Sequence, residues 1–212
     1  MKKNFVILAA LAMTCTANIS AQQFVENFDS NSLEWTECTF DNPSNLKFFI
    51  ANGVLTLHSE VHTDIWTDKV IYDPAISTCY APLDVKKPFK ITTHFRYKND
   101  KTPCGILFNL RDEGTYYAIV IVEENKKIYF QRWEDNELVG SFTQGFSYPK
   151  LKKGQFYELI LESTEGTLTL TMQDVPVFKL RYIPTLSYTG FGFMTRGNQE
   201  MTIDDVVFEQ VR

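Results

Sequence analysis

The 212-residue sequence lacks a long hydrophobic run: its one continuously apolar segment, residues 5–13, falls far short of the roughly 20 residues that a bilayer-spanning helix needs. Glycine (10) and proline (8) are too sparse for a collagen-like or low-complexity chain. Basic residues are in the minority, with Lys+Arg 21 against Asp+Glu 26 and a net charge of -5, and they are scattered. The average field therefore repels a phosphate backbone, and nucleic acid is not an expected partner. The 4 cysteines are never within a few residues of one another, which excludes a zinc framework. A nucleophile elbow and a phosphate-binding glycine loop are also missing. What is present is 44% apolar and 14% aromatic residues, ample for a core.

Lys2 and Lys3, the apolar run 5–13 and the small-residue stretch Ala17-Asn18-Ile19-Ser20-Ala21 have the three parts of a secretory signal, with cleavage expected after Ala21. The remaining residues, 22–212, are expected to form one domain in a periplasmic or secreted protein. Lipid attachment at Cys15 is the weaker alternative, because Ala12-Met13-Thr14 departs from the leucine, small, small pattern of a lipoprotein signal. Cleavage leaves Cys38, Cys79 and Cys104, an odd set that forms at most one bridge. Cys38 with Cys79 is the candidate pair, and Cys104, at the start of an apolar strand, reads as a small buried residue.

Beyond Gln23 the residues alternate with period 2, and no window shows the 3.6-residue period of an amphipathic helix. Strands are predicted over 24–28, 46–51, 54–59, 89–97, 105–111, 115–123, 127–133, 138–142, 156–163, 167–173, 175–182, 190–195 and 201–210. Turn signals separate them: Asn52-Gly53, Glu113-Gly114, Asn125-Lys126, Asp135-Asn136, Lys153-Gly154 and Glu165-Gly166. Serial strands with short turns predict an all-β fold, an antiparallel two-sheet sandwich. Residues 64–88, with Pro74, Pro82 and Pro88, are expected to form a long surface connection, in which Trp66 reads as a plug over the sandwich end or a rim aromatic beside Asp64.

Phe24-Val-Glu-Asn-Phe-Asp29 followed by Trp35, Pro88-Phe-Lys-Ile-Thr-Thr-His-Phe95, Gly105-Ile-Leu-Phe-Asn-Leu-Arg111 leading into Tyr116-Tyr117, Gly154-Gln-Phe-Tyr-Glu-Leu159, Gly190-Phe-Gly-Phe193 and Met201-Thr-Ile-Asp-Asp-Val206 occur in an order that resembles the concanavalin A-like lectin/glucanase jelly roll. Within that superfamily the chain is similar to laminin G-like domains and to the 3-keto-disaccharide hydrolase domain of secreted bacterial proteins. The resemblance implies two curved antiparallel sheets, terminal strands side by side, and a concave face that meets a glycan or small saccharide. It also implies that Glu26 and Asp29 lie near Asp204 and Asp205, which makes Glu26 and Asp204 candidate ligands for a structural calcium ion. The competing reading is that Asp204 caps the backbone or pairs with a nearby cation.

Alternation also sorts the residues by face. In 89–97 the apolar set Phe89, Ile91, Phe95 and Tyr97 leaves Lys90, Thr92, His94 and Arg96 opposite, and in 105–111 the set Ile106, Phe108 and Leu110 leaves Leu107, Asn109 and Arg111. In 127–133, Ile128 and Phe130 leave Tyr129, Gln131 and Trp133. If these strands are neighbours, Arg96, Asn109, Arg111, Tyr129, Gln131 and Trp133 form one ligand-binding face, with flat rings for the C–H face of a pyranose and polar groups for its hydroxyls. An ordinary solvated sheet face is the competing reading. The Glu-x-Asp-x-x-Glu motif of laminarinase-type enzymes is absent, which leaves His94 as the catalytic candidate. Glu123, Glu124, Glu134, Asp135 and Glu137 read as solvated turn charges, and His58 and His62 lie too far apart on an extended strand for one zinc ion. Three functions follow: a carbohydrate-binding module, a glycoside-processing enzyme, or a laminin G-like protein-interaction domain.

Overall fold

The structure, a computed structural model, describes residues 22–38, 46–63, 70–72, 74–81, 83–99, 102–112, 114–148, 150–164, 166–184 and 188–210. Asp64, Trp66 and the expected signal over 1–21, with Cys15, lie outside the described residues. Strands, numbered in chain order, form two large sheets. Sheet A runs β15 (Val175–Arg181), β14 (Thr167–Met172), β13 (Tyr157–Thr164), β8 (Phe89–Tyr97), β17 (Gln199–Gln210), β4 (Val54–Ser59) and β3 (Leu46–Ala51), and β1 (Gln22–Glu26) also pairs with β17. Sheet B runs β12 (Glu137–Gly145), β11 (Lys127–Glu134), β10 (Thr115–Val122), β9 (Cys104–Asp112), β16 (Gly190–Arg196), β7 (Pro74–Tyr80) and β2 (Thr36–Cys38). A ribbon of β5 (Val61–Thr63) and β6 (Val70–Tyr72) stands apart. Pairing is antiparallel, the terminal strands lie side by side with Glu26 opposite Val206, and the architecture is the jelly-roll sandwich expected from the sequence. No helix among the described residues is long and apolar enough to cross a membrane.

Turn chemistry sets the hairpins. Consecutive positive φ angles occur at Asn52 (54°) and Gly53 (72°), at Asp135 (47°) and Asn136 (68°), and at Gln173 (47°) and Asp174 (63°). Two left-handed residues in succession match the right-handed twist of the strands they join, which favours Asn, Asp and Gly there. The β14–β15 turn uses Gln173-Asp174, a pair that carries little turn signal in the sequence.

The core lies between the sheets. On β8 the alternation is complete: Phe89, Ile91, Thr93, Phe95 and Tyr97 are buried and the residues between them half-buried. Phe108, Tyr117 and Ile119 of sheet B face them, and Trp35 stacks on Phe193 with ring centroids 5.6 Å apart.

Four expectations are corrected. The 64–88 segment is not all surface connection, because β7 lies inside sheet B between β16 and β2. Its small residues conceal it: Ser77 and Cys79 are buried opposite Phe193 and Phe191, which fill the space that larger side chains would take. β8 and β9 are not neighbours either; the chain crosses from sheet A to sheet B between Tyr97 and Cys104. Gln199, 1% exposed, fastens that crossing: its Oε1 accepts from Lys98 N (3.1 Å) and Asn99 N (2.9 Å), and its Nε2 donates to Asn99 O (2.5 Å) and Thr102 O (3.2 Å). Cys79 is a free buried thiol rather than half of a bridge. Cys38 is registered against Ile76, so Cys79 lies three residues, about 10 Å, further along β7. Finally, Glu123 is not a solvated turn charge: it is 6% exposed, its Oε1 accepts from Leu151 N at 3.0 Å, and it pairs with Lys126.

Candidate functional site

The outer face of sheet B carries a second apolar layer. Ile76, Leu107, Leu110, Tyr116, Ala118 and Val120 form a buried cluster separate from the core, with Tyr129, Trp133 and Met194 packed against it. Register builds this layer, since Tyr116 is opposite Trp133, Ala118 opposite Gln131, and Val120 opposite Tyr129. Three alternate residues of β11 therefore present a ring, an amide and a ring, all half-buried. Trp133 stacks on Tyr116 (6.1 Å, 28°), and its indole Nε1 donates to Gln131 Oε1 at 3.3 Å. Of the adjacent tyrosines, Tyr116 thus faces outward and Tyr117 joins the core. Tyr80, 73% exposed, is an aromatic of this face that alternation within 64–88 did not reveal. It is registered against Gly190, where an added Cβ would meet the Leu110 side chain of the same layer at 2.6 Å.

The other residues expected on this face are placed differently. Asn109 has φ 51° and is 1% exposed, at a bulge where the β9–β10 register shifts. Its side-chain carbonyl accepts from Tyr188 N at 2.8 Å, so it shapes the backbone instead of facing solvent. The bulge also resets alternation, which is why Leu110 joins the outer layer and not the core. Arg111 is exposed where β9 ends and bonds Asp112 Oδ2 (2.5 Å), Asp135 Oδ1 (2.6 Å) and Thr115 Oγ1 (2.8 Å). The hydrogen bonds to Asp112, and then to Asp135 and Tyr188, raise its pKa above the ordinary arginine value. Arg96 and His94 lie on β8, hence on sheet A, and do not share a face with Trp133. Period-2 alternation reports a side chain's face within its own sheet but not which strand lies beside it.

On the outer face of sheet A, His94 sits between two carboxylates. Its Nδ1 is 2.6 Å from Asp205 Oδ1, and its Nε2 is 3.9 Å from Glu158 Oε2. Glu158 is the β13 register partner of His94. A register shift of β17 between Ile203 and Val206 brings Asp205 beside it, held by Thr93 Oγ1 donating to Asp205 O at 2.7 Å. His58 likewise meets Glu60 (2.9 Å) and Glu200 (3.7 Å), while the side chain of His62 lies outside the described residues.

Glu26 and Asp204, the calcium candidates, have different surroundings. Glu26 is fully buried, with Oε1 accepting from Phe28 N (2.9 Å) and Oε2 from Ser32 Oγ (2.8 Å) and Leu33 N (3.0 Å), so its oxygens staple its own loop. Asp204 is exposed on β17. Among the described residues no group of three or more His, Cys, Asp or Glu is placed to hold a metal ion.

No protein-family model matches the sequence, and no curated protein matches it. Solved structures do match. The carbohydrate-binding module CBM66 from Bacillus subtilis superposes with TM-score 0.57 at 11% identity, over 83% of this chain and 95% of that one. The Emp47p carbohydrate recognition domain gives 0.60 at 10% identity, over 90% and 95%. The endo-beta-1,3-glucanase from Pyrococcus furiosus gives 0.61 at 11% identity, over 89% and 94%. At such identities the likeness is one of fold, and the chain has the concanavalin A-like jelly-roll fold that these proteins share.

Proposed function

We propose that this chain is an exported carbohydrate-binding module that holds a glycan or small saccharide on the outer face of sheet B. The observation that carries the reading is the β11 row: Tyr129 and Trp133 are half-buried rings with the Gln131 amide between them, over an apolar layer. Supported rings that stay partly open suit the C–H face of a pyranose, and an amide between them supplies a directed donor and acceptor for its hydroxyls. Arg111 stands at the rim, and Asn109 acts beneath it as a positioning residue. The fold shared with a carbohydrate-binding module and a carbohydrate recognition domain agrees with this reading. Residues 1–21 are read as the export signal and 22–212 as one unit, so N-terminal sequencing of exported protein should begin at Gln22. The direct test is a glycan array on the mature protein beside Trp133→Ala. Retention of a glycan by the wild type and its loss in the variant is the expected result; no retention, or equal retention by both, removes the assignment.

A second reading, a glycoside-processing enzyme, is favoured by the contact of His94 with Asp205 at 2.6 Å. A carboxylate on Nδ1 orients an imidazole whose Nε2 can then accept or donate a proton. Turnover of a 3-keto-glucoside by the wild type and its loss in His94→Ala would support this reading.

A further inference from the structure

Arg96 is the ligand-face candidate that the fold carries to sheet A, and its surroundings there are unusual. It is half-buried, with its guanidinium carbon 4.9 Å from the centroid of the Phe156 ring. Its side chain makes no hydrogen bond or ion pair with any described residue. A cation–π contact of this kind uses none of the guanidinium's N–H donors, so the fork is left unmatched. Arginine is rarely withdrawn from water without a partner, because the lost hydration has to be replaced.

A hollow of about 400 Å³ opens beside it, lined also by Lys98, Lys153, Gly154, Glu200 and Thr202. The carboxylate in that wall is already engaged: Glu200 lies 3.4 Å from Lys98 Nζ and 3.7 Å from His58 Nδ1. The next outward-facing position of β8 is His94, whose contacts take up Asp205 and Glu158. The lining carries Arg96, Lys98 and Lys153 against the one carboxylate of Glu200, which pairs with Lys98, on a chain whose net charge is -5.

We propose that this hollow is a second binding site, taking the oxyanion group of an acidic saccharide, either a sugar carboxylate or a sulfate ester. The Arg96 fork matches the planar edge of a carboxylate or two oxygens of a sulfate. The volume falls in the range of small organic ligands and exceeds what a bare inorganic anion fills. That the anion is carried on a sugar rests on the carbohydrate-binding reading given above. The site itself does not, because it lies on the sheet opposite Trp133.

The experiment is a calorimetric or NMR titration of the mature chain at fixed ionic strength with four probes: glucuronate, glucose 6-sulfate, glucose and inorganic sulfate. The expected result is saturable binding of at least one acidic sugar, with glucose about tenfold weaker or worse, and about a tenfold loss in Arg96→Gln. Lys153→Gln should lower affinity by a smaller factor, and Trp133→Ala should leave it unchanged. Equal Arg96-dependent binding of glucose, unchanged binding in Arg96→Gln, or no saturable binding of either acidic sugar overturns the proposal. Inorganic sulfate binding as tightly as glucose 6-sulfate, an adventitious ion only, removes the saccharide assignment. Acidic-sugar binding that survives Trp133→Ala while the glycan array stays blank would overturn the sheet B reading and leave this one standing.

Discussion

Trp133 and Tyr116 stack across the β10–β11 pair, with centroids 6.1 Å apart and planes 28° from parallel, on the face of sheet B turned away from the core. Each ring is thereby a support for the other. The double-mutant cycle of Trp133→Ala and Tyr116→Ala should show a coupling of about 1 kcal/mol in urea unfolding. A coupling near zero would mean that the rings neither stiffen nor position one another.

Gln199 is the buried clamp of the crossing between the sheets. Gln199→Leu leaves the backbone groups of Lys98, Asn99 and Thr102 without their side-chain partner, and should destabilise the chain by about 2–4 kcal/mol. Amide exchange at Lys98 and Asn99 should rise more than in β13, which lies outside the clamp.

At the bulge, Asn109→Gly should cost about 1 kcal/mol, because φ 51° stays accessible while side-chain contacts, the hydrogen bond to Tyr188 N among them, are lost. Asn109→Val adds a β-branched residue in the left-handed region and should cost roughly 2 kcal/mol more. Thermal unfolding of the two variants gives the order directly, and an equal loss in both would remove the backbone argument.

Alkaline stability follows from buried acids. Burial, assisted by the Glu123 charge, pushes the Cys104 thiol up to about 12, and burial followed by Glu26 raises Cys79 as well. Tyr182 is raised by burial and by its proximity to Tyr117. An exposed thiol in the unfolded chain ionises near pH 8.5, so the unfolded state loses its proton first. The contribution of Cys104 to stability is therefore complete below about pH 8.5 and is lost as pH rises toward 12, by about 1.4 kcal/mol per pH unit at most. Unfolding free energy measured from pH 8 to 11 should decline less steeply in Cys104→Ala than in the wild type.

Much of this molecule is readable from local pattern. Period-2 alternation gave the buried and open faces of β8 and β11 correctly, and Asn-Gly and Asp-Asn pairs marked hairpins, because both properties depend only on residues adjacent in the chain. Alternation failed at Asn109, where one left-handed residue shifts the phase and moves Leu110 to the opposite face. It also failed for β7, whose small side chains are set by the phenylalanines of β16, a strand more than a hundred residues away.

The chain's own order of residues determined that it would be all-β, where its hairpins turn, and that Tyr129, Gln131 and Trp133 share a face, since each of these is fixed within one strand or one turn. The packed structure alone decided which strands are neighbours. It separated Arg96 and His94 from Trp133 by sending the chain across the sandwich after Tyr97, and it brought Asp205 to His94 through a bulge in β17. Neighbourhood between strands depends on long-range pairing and on how two sheets close over a shared core, and neither leaves a periodic trace in the residues concerned.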